Sequence, residues 1–389
     1  PRSPRLLTML DARAVRARAR ELLSQVTLQE VSGSLGDLGT FIPLLVGMQQ
    51  RGAVRFVPAL FWAGLFNVAT GAAWGVPMCV QPMKTIAAVA LTDGLSAVEV
   101  TAAGMLVSLV VLILGATRLI SAVNRAVPLP VVRGLQLGLG LSLVRRSASM
   151  VFAPGAAWLD PYEGLLLGAV SLLAVLAMLQ AERVPAALVA FCAGLALAGA
   201  RAARDGRDID FRLESPVHLS ILDVTWADVG SAAWRAALPQ LPLTTLNSVI
   251  SVCKLAEDLR PDRPVTREAV AGSVGLMNLV GCPLGAMPSC HGAGGLAAQW
   301  RFGARTGASV VVLGLAKMAL AVFAGPLLVA LLEGFPAPVL GAMLAFSGLE
   351  LARAGVQAKG GEMPGADATF VALATAGFTV GLGTGVGCL

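Results

Sequence analysis

From residue 28 onward the chain alternates long apolar stretches with short polar turns. A helix needs about 20 apolar residues to cross a bilayer. Stretches near 28–50, 56–74, 97–118, 128–146, 161–181, 184–200, 236–254, 265–283, 305–330, 336–352 and 367–385 have that character. Two segments break the pattern at matching places, VPMCVQPMKTIAAVAL (76–91) and GCPLGAMPSCHGAGGLAAQW (281–300). Each opens on proline and polar residues, turns into small helix-compatible residues, and is too interrupted for an ordinary span. Together these segments predict about 13 spans and an all-α polytopic membrane protein. One pair of broken segments, one per half, is the sequence signature of a transporter's binding site. The closing GLGTGVGCL reads as a connection or a cut helix, so a truncated C-terminus is expected.

The most polar stretch, 201–235, separates two apolar blocks of similar layout, 28–200 and 236–389. About seven spans precede it, and an odd number inverts the second block relative to the first. Within it, VHLSILDVTWADV predicts a short interfacial helix. Internal similarity supports a repeat. GSLGDLGTFIPLLVGM opens the first block and LPQLPLTTLNSVISVC the second. Asp37 and Gln81 stand 44 positions apart, as do Asn247 and His291. LPVVRGLQLGLGLSL and APVLGAMLAFSGLEL both begin at a proline suited to a helix start.

Composition agrees with this reading. Hydrophobic residues make up 56% of the chain and charged residues only 13%, with 44 glycines, whereas soluble domains carry about 25% charged residues. Small residues let helix backbones approach in a membrane. Residues 1–27 form a basic end with Arg2, Arg5, Arg13, Arg16, Arg18 and Arg20 and no apolar signal core. A transit function fits such a segment, but the positive-inside rule predicts a cytoplasmic N-terminus. Arg118, Arg125, Arg301, Arg305, Arg353 and Lys359 then fall inside, while Arg145, Arg146 and the arginines of 201–212 fall outside. The net charge of +6 thus reflects topology, with the lipid bilayer as partner and no nucleic acid. Six cysteines without a CxxC pair predict no disulfide framework.

The chemistry concentrates at the broken segments. Pro77, Pro82, Pro283 and Pro288 force non-helical backbone, tolerated at membrane depth only where protein or a wet cavity covers it. The helices that follow begin near mid-membrane with unpaired N–H groups and the positive end of the dipole. Two such starts facing each other make an anion site. His291, Gly292, Ala293, Gly294 and Gly295 offer almost bare backbone on one side, with Ser289 a further candidate just before them. Gln81, Lys84 and Thr85 offer an amide, a cation and a hydroxyl on the other. The same glycines also suit close helix packing. Asp37, with Thr40 after it, is an intramembrane carboxylate: either a coupling-proton carrier or the partner of Lys84. Thr245 and Asn247 stand at the matching place in the second half, where Ser and Thr also bond back to their own helix. Lys317, inside an apolar run, reads as paired or snorkelling. No second ligand stands at metal spacing from Cys290–His291, so no metal, no cofactor and no catalytic constellation are expected.

VQPMKTIAA, QLPLTTLNSV and MPSCHGAGGLAAQWRFGARTG, with GDLGTFIPLL at the first span, resemble signature segments of the molybdate transporter family, distant relatives of the SulP sulfate carriers. The resemblance runs from about residue 28 to the end. It implies the 7+7 inverted-repeat fold of the uracil permease/SulP type. The implied core is 28–118 plus 236–330, and the implied gate is 128–200 plus 336–389. The implied site lies between 33–48, 76–91, 238–253 and 281–300. The implied function is secondary active transport of molybdate rather than an enzyme activity. Sulfate or another oxyanion is the alternative cargo, with a nucleobase permease or an anion channel less favoured. A homodimer is a candidate assembly. SulP carriers append a STAS domain that has no counterpart in these residues, and a fourteenth segment reads as missing or cut.

Overall fold

Helix ends in this chain are set by local chemistry as much as by hydropathy. The computed structural model describes residues 12–120, 122, 129–153, 156–180, 186–206, 215–219, 224–356 and 365–382. Arg2, Arg5, Arg125, Lys359, linker residues 207–214 and 220–223, and the tail after Leu382 lie outside them. The first half comprises α1 (Ala12–Gln25), α2 (Leu28–Ser34), α3 (Leu38–Gln50), α4 (Phe56–Trp74), β1 (Val80–Pro82), α5 (Lys84–Thr92), α6 (Ala97–Ala116), α7 (Leu129–Val151), α8 (Leu165–Gln180) and α9 (Ala186–Arg204). The second comprises α10 (Trp226–Ala232), α11 (Leu238–Leu243), α12 (Val252–Leu259), α13 (Arg267–Gly281), β2 (Ser289–His291), α14 (Ala293–Arg301), α15 (Ala308–Phe323), α16 (Gly325–Glu333), α17 (Ala337–Val356) and α18 (Gly365–Leu382).

Helix α6 starts at a capping box: Ser96 Oγ accepts from Glu99 N at 3.1 Å and Glu99 returns the bond to Ser96 N at 2.8 Å. Thr225 and Asp228 form the same device at α10. That cap corrects one expectation. The described residues of VHLSILDVTWADV before Trp226 are not helical, and Trp226 opens the next membrane-length run instead. This run, 226–259, passes through π-helical turns at Ala233–Ala237 and Thr244–Ser251. A second expectation also changes. The stretch 305–330 is not one straight span, because α15 and α16 meet at 77°. Pro326, in the first turn of α16, cannot continue the α15 ladder.

The halves interlock. Helix α4 packs on α15, α6 on α13 and α7 on α17, an exchange consistent with a two-fold relation between the halves. Contact is backbone-close: a Cβ on Gly64 would lie 2.6 Å from Gly314 O, and one on Gly275 2.6 Å from Leu112 Cβ. Helices α4 and α6 are each long and apolar enough to cross a bilayer unaided. Outward-facing Leu173, Phe323, Phe370 and Leu373 are exposed, as a lipid-facing surface requires. At the other boundary, Arg18 of α1 reaches Ala72 O at 2.8 Å and pairs with Glu21, which also binds Arg263 at 2.7 Å. The hydrogen bond from Arg18, helped by Arg263, holds the Glu21 carboxyl below its usual range.

Candidate functional site

The two broken segments meet. Strands β1 and β2 pair antiparallel with Val80 opposite His291, Gln81 opposite Cys290 and Pro82 opposite Ser289. Met83 N donates to Pro288 O at 2.8 Å, so the two proline turns touch. Beyond each strand a nine-residue helix begins, α5 at Lys84 and α14 at Ala293. Neither start carries a side-chain cap from its own N-cap residue. The pairing therefore brings two half-helix N-termini together at a two-stranded crossing.

Two buried asparagines anchor the crossing, and hydropathy alone hides them. Asn67 Oδ1 accepts from Val80 N at 2.7 Å, and Asn278 Oδ1 accepts from Ser289 N at 2.7 Å. Val80 and Ser289 are the first residues of the two strands, so the asparagines do the same work in each half. Each is a lone amide in an apolar helix preceding its strand, and that is the signal by which a sequence reading finds them. The second is the better satisfied. Asn278 Nδ2 also donates to Val274 O and Ser289 O at 2.8 and 2.7 Å, while Asn67 Nδ2 is buried without a partner.

The register corrects the equivalence read from spacing. Lys84 follows Gln81 by the same interval as Ala293 follows Cys290, so Gln81 matches Cys290 and not His291. A one-residue shift turns a strand side chain to the opposite face. The His291 ring is accordingly fully buried, with Nε2 3.0 Å from Ser273 Oγ, Nδ1 3.4 Å from Cys79 O, and Trp74 edge-on at 5.0 Å. Ser289 Oγ donates to Met287 O at 2.8 Å. Thr245 Oγ1 donates back to Leu241 O at 3.0 Å, the local alternative open to a threonine. These three side chains are engaged within the protein.

Others converge on the gap. Lys84 is half-buried, and no carboxylate pairs with it among the described residues. Its Nζ lies 3.8 Å from where a Cβ on Gly294 would stand, so the ammonium reaches the start of α14. Gly294 is exposed and Ala293 half-buried, and among the described residues no acceptor takes their N–H groups, which stand in the first turn of α14. A Cβ on Gly292 would meet the Gln81 amide oxygen, and one on Gly295 would meet Cys79 Sγ and the Gln81 amide. Thr85 Oγ1 and Gln81 Oε1 are buried without partners. Asn247 and Thr40 are half-buried, Asn247 on a π-helical turn, a distortion frequent at functional sites.

Asp37 takes a different partner from the one expected. It pairs with Lys317 at 3.2 Å rather than with Lys84, and both side chains are buried. The Lys317 ammonium sits 3.5 Å from the Phe41 ring centroid. Asp37 lies beside Cys79, and its 3₁₀ turn packs on α14, where a Cβ on Gly36 would be 2.7 Å from Ala298 C. One carboxylate oxygen has no hydrogen bond. With Asp37 matched to Lys317, Lys84 is left without a carboxylate partner among the described residues, at the positive end of the α5 dipole.

The first half-helix departs from the expectation of open donors. Gln240 Oε1 accepts from Thr85 N at 2.9 Å, and Gln240 Nε2 donates to Thr244 Oγ1 at 2.8 Å. This glutamine, between two prolines and buried, is invisible to reasoning that follows only charge and hydropathy.

A family model described as "Molybdate transporter of MFS superfamily" matches residues 29–143 and 232–351. "Molybdate transporter 1" of Chlamydomonas reinhardtii is 38% identical over 445 residues, covering 86% of this chain and 85% of that protein. "Molybdate transporter 2" of Arabidopsis thaliana is 39% identical over 378 residues, covering 87% and 81%. Among solved structures, the transmembrane domain of the cyanobacterium bicarbonate transporter BicA aligns with TM-score 0.66 at 15% identity, covering 93% of this chain and 97% of that one. SLC26A9 aligns with TM-score 0.65 at 12% identity, covering 100% and 70%. The shared fold, with its broken helices, is therefore that of these membrane transporters.

Proposed function

The chain belongs to the molybdate transporter family, a family of integral multi-pass membrane transporters and not of enzymes, and on that premise we propose that it is a secondary active carrier of molybdate. The oxyanion sits between the starts of α5 and α14. The N–H groups of Ala293 and Gly294 receive its oxygens, Lys84 supplies the countercharge, and Thr85, Gln81 and Asn247 add polar contacts. The observation that carries this reading is the unpaired Lys84 ammonium reaching Gly294. A cation at a helix N-terminus is unfavourable by itself and becomes favourable when an anion bridges it to the facing N–H groups.

Residues 28–118 and 236–330 act as the core that carries the site, and 128–200 with 336–389 act as the gate against which it moves. Asp37 holds the coupling proton or shapes the site through Lys317. The basic N-terminus lies in the cytoplasm, and two copies form a homodimer. The test is uptake of molybdate by proteoliposomes, with sulfate in excess as competitor. Saturable molybdate uptake that survives excess sulfate supports the reading. Equal inhibition by sulfate makes the chain a general oxyanion carrier. An unsaturable, voltage-steep conductance refutes a carrier.

A further inference from the structure

We infer that Gln240 tunes this site for a large oxyanion by filling one of its donors from within. The inference rests on the molybdate reading above. Two half-helix starts face the gap, but they are not equal. At α14 the N–H groups of Ala293 and Gly294 have no acceptor among the described residues. At α5 the Thr85 N–H is bound at 2.9 Å by the Gln240 amide oxygen, whose own NH₂ is fixed to Thr244 at 2.8 Å. Gln240 and Thr85 are both buried, and no charged group takes part in this bond. A neutral acceptor thus stands where a second edge of the anion would otherwise bind, leaving from Thr85 only the unpartnered hydroxyl.

The number of donors left open decides which dianion the site prefers. Desolvating an ion costs more the smaller it is, because the Born cost varies inversely with radius. A small tetrahedral dianion such as sulfate therefore needs more fixed donors to replace its water than the larger molybdate does. Gln240 removes one donor from the set. The remaining set suffices for the weakly hydrated ion and under-compensates the strongly hydrated one, which is selectivity by a withheld interaction. Gln240 is thus a positioning residue that sets the preference without supplying charge.

The experiment measures dissociation constants for molybdate and for sulfate on the purified full chain and on Gln240→Ala and Gln240→Met. Alanine opens both the donor and the space, whereas methionine removes the acceptor and keeps the volume. A hydrogen bond to a charged group changes affinity by about tenfold or more. In Gln240→Ala the sulfate-to-molybdate ratio of dissociation constants is expected to fall about five- to tenfold, with sulfate gaining. In Gln240→Met, where no space opens for the anion, the ratio moves little. An unchanged ratio in a folded Gln240→Ala protein overturns the inference, and so does an equal loss of both anions. If Gln240→Ala does not fold, a Gln240→Ser protein, which also opens the space, is held to the same two criteria. Failure of the unaltered chain to bind molybdate would instead remove the parent reading.

Discussion

Replacing Lys84 by methionine should raise the stability of the empty protein while weakening its grip on molybdate. The two signs together test the site more sharply than either alone. Lys84 opens α5, so its charge meets the positive end of that helix dipole, an unfavourable contact of about 0.3–1 kcal/mol. It is half-buried without a carboxylate partner among the described residues, which adds a desolvation cost. Methionine keeps the stem and removes both penalties, so an apo gain of about 1 kcal/mol is expected, on the order of 1–2 °C in Tm for a chain this long. In the complex the balance reverses. A unit charge about 4 Å from another in a partly buried setting attracts with roughly 4 kcal/mol before desolvation. Charged hydrogen bonds retain about 1.5–3 kcal/mol net, or roughly 10- to 100-fold in affinity. The assay is tryptophan-fluorescence melting with and without molybdate at about 100 times the wild-type Kd, where a bound ligand adds about 2.7 kcal/mol. Lys84→Met should melt higher than wild type without molybdate and gain little from it. A lower apo Tm, or an undiminished molybdate shift, would refute the reasoning.

Further predictions follow from neighbouring contacts. Asp37→Asn strands a buried Lys317 and should cost about 3–5 kcal/mol in equilibrium unfolding, with much of it recovered in Asp37→Asn/Lys317→Met. If Asp37 carries the coupling proton, the asparagine variant also flattens the pH profile of uptake; an unchanged profile removes it from coupling. Gly292→Ala drives a methyl into the Gln81 amide and should cut molybdate uptake about tenfold or more, with partial rescue by Gln81→Ala in the same chain. Asn278→Ala loses four hydrogen bonds, one of them a weak bond from the Cys282 thiol, and Asn67→Ala one, so at about 1 kcal/mol for each amide bond the first should be the more destabilised in denaturant titrations.

Much of this molecule is legible in its amino acids. The apolar runs place most helices because a lipid-facing segment has no other way to satisfy its backbone. The prolines near 82 and 288 announce the breaks because they deny the ladder a donor. Pairing across the breaks is harder to read. Spacing between Asp37 and Gln81, and between Asn247 and His291, suggests a register one residue away from the true one. A one-residue error in apolar sequence leaves no mark in hydropathy yet reverses every side chain. The 77° turn at Ala324 and the partner of Asp37 are hidden for a related reason. Both depend on which distant residue lies alongside, and a lysine in a greasy run looks the same whether it snorkels or pairs. Gln240 is hidden because a neutral amide between prolines carries no charge signal.

The strand crossing has one more consequence. Because Asn67 and Asn278 bolt the two strands to helices on either side, and the strands are bolted to each other, the interval between the two half-helix starts, if cargo binds there, would behave as the fixed jaw of a caliper. A guest too broad for the jaw would then gain nothing from flexing one end, since the ladder would transmit the load to the other half. Cargo size would then be gauged by backbone geometry, and side chains around the opening would only choose among ions that already fit.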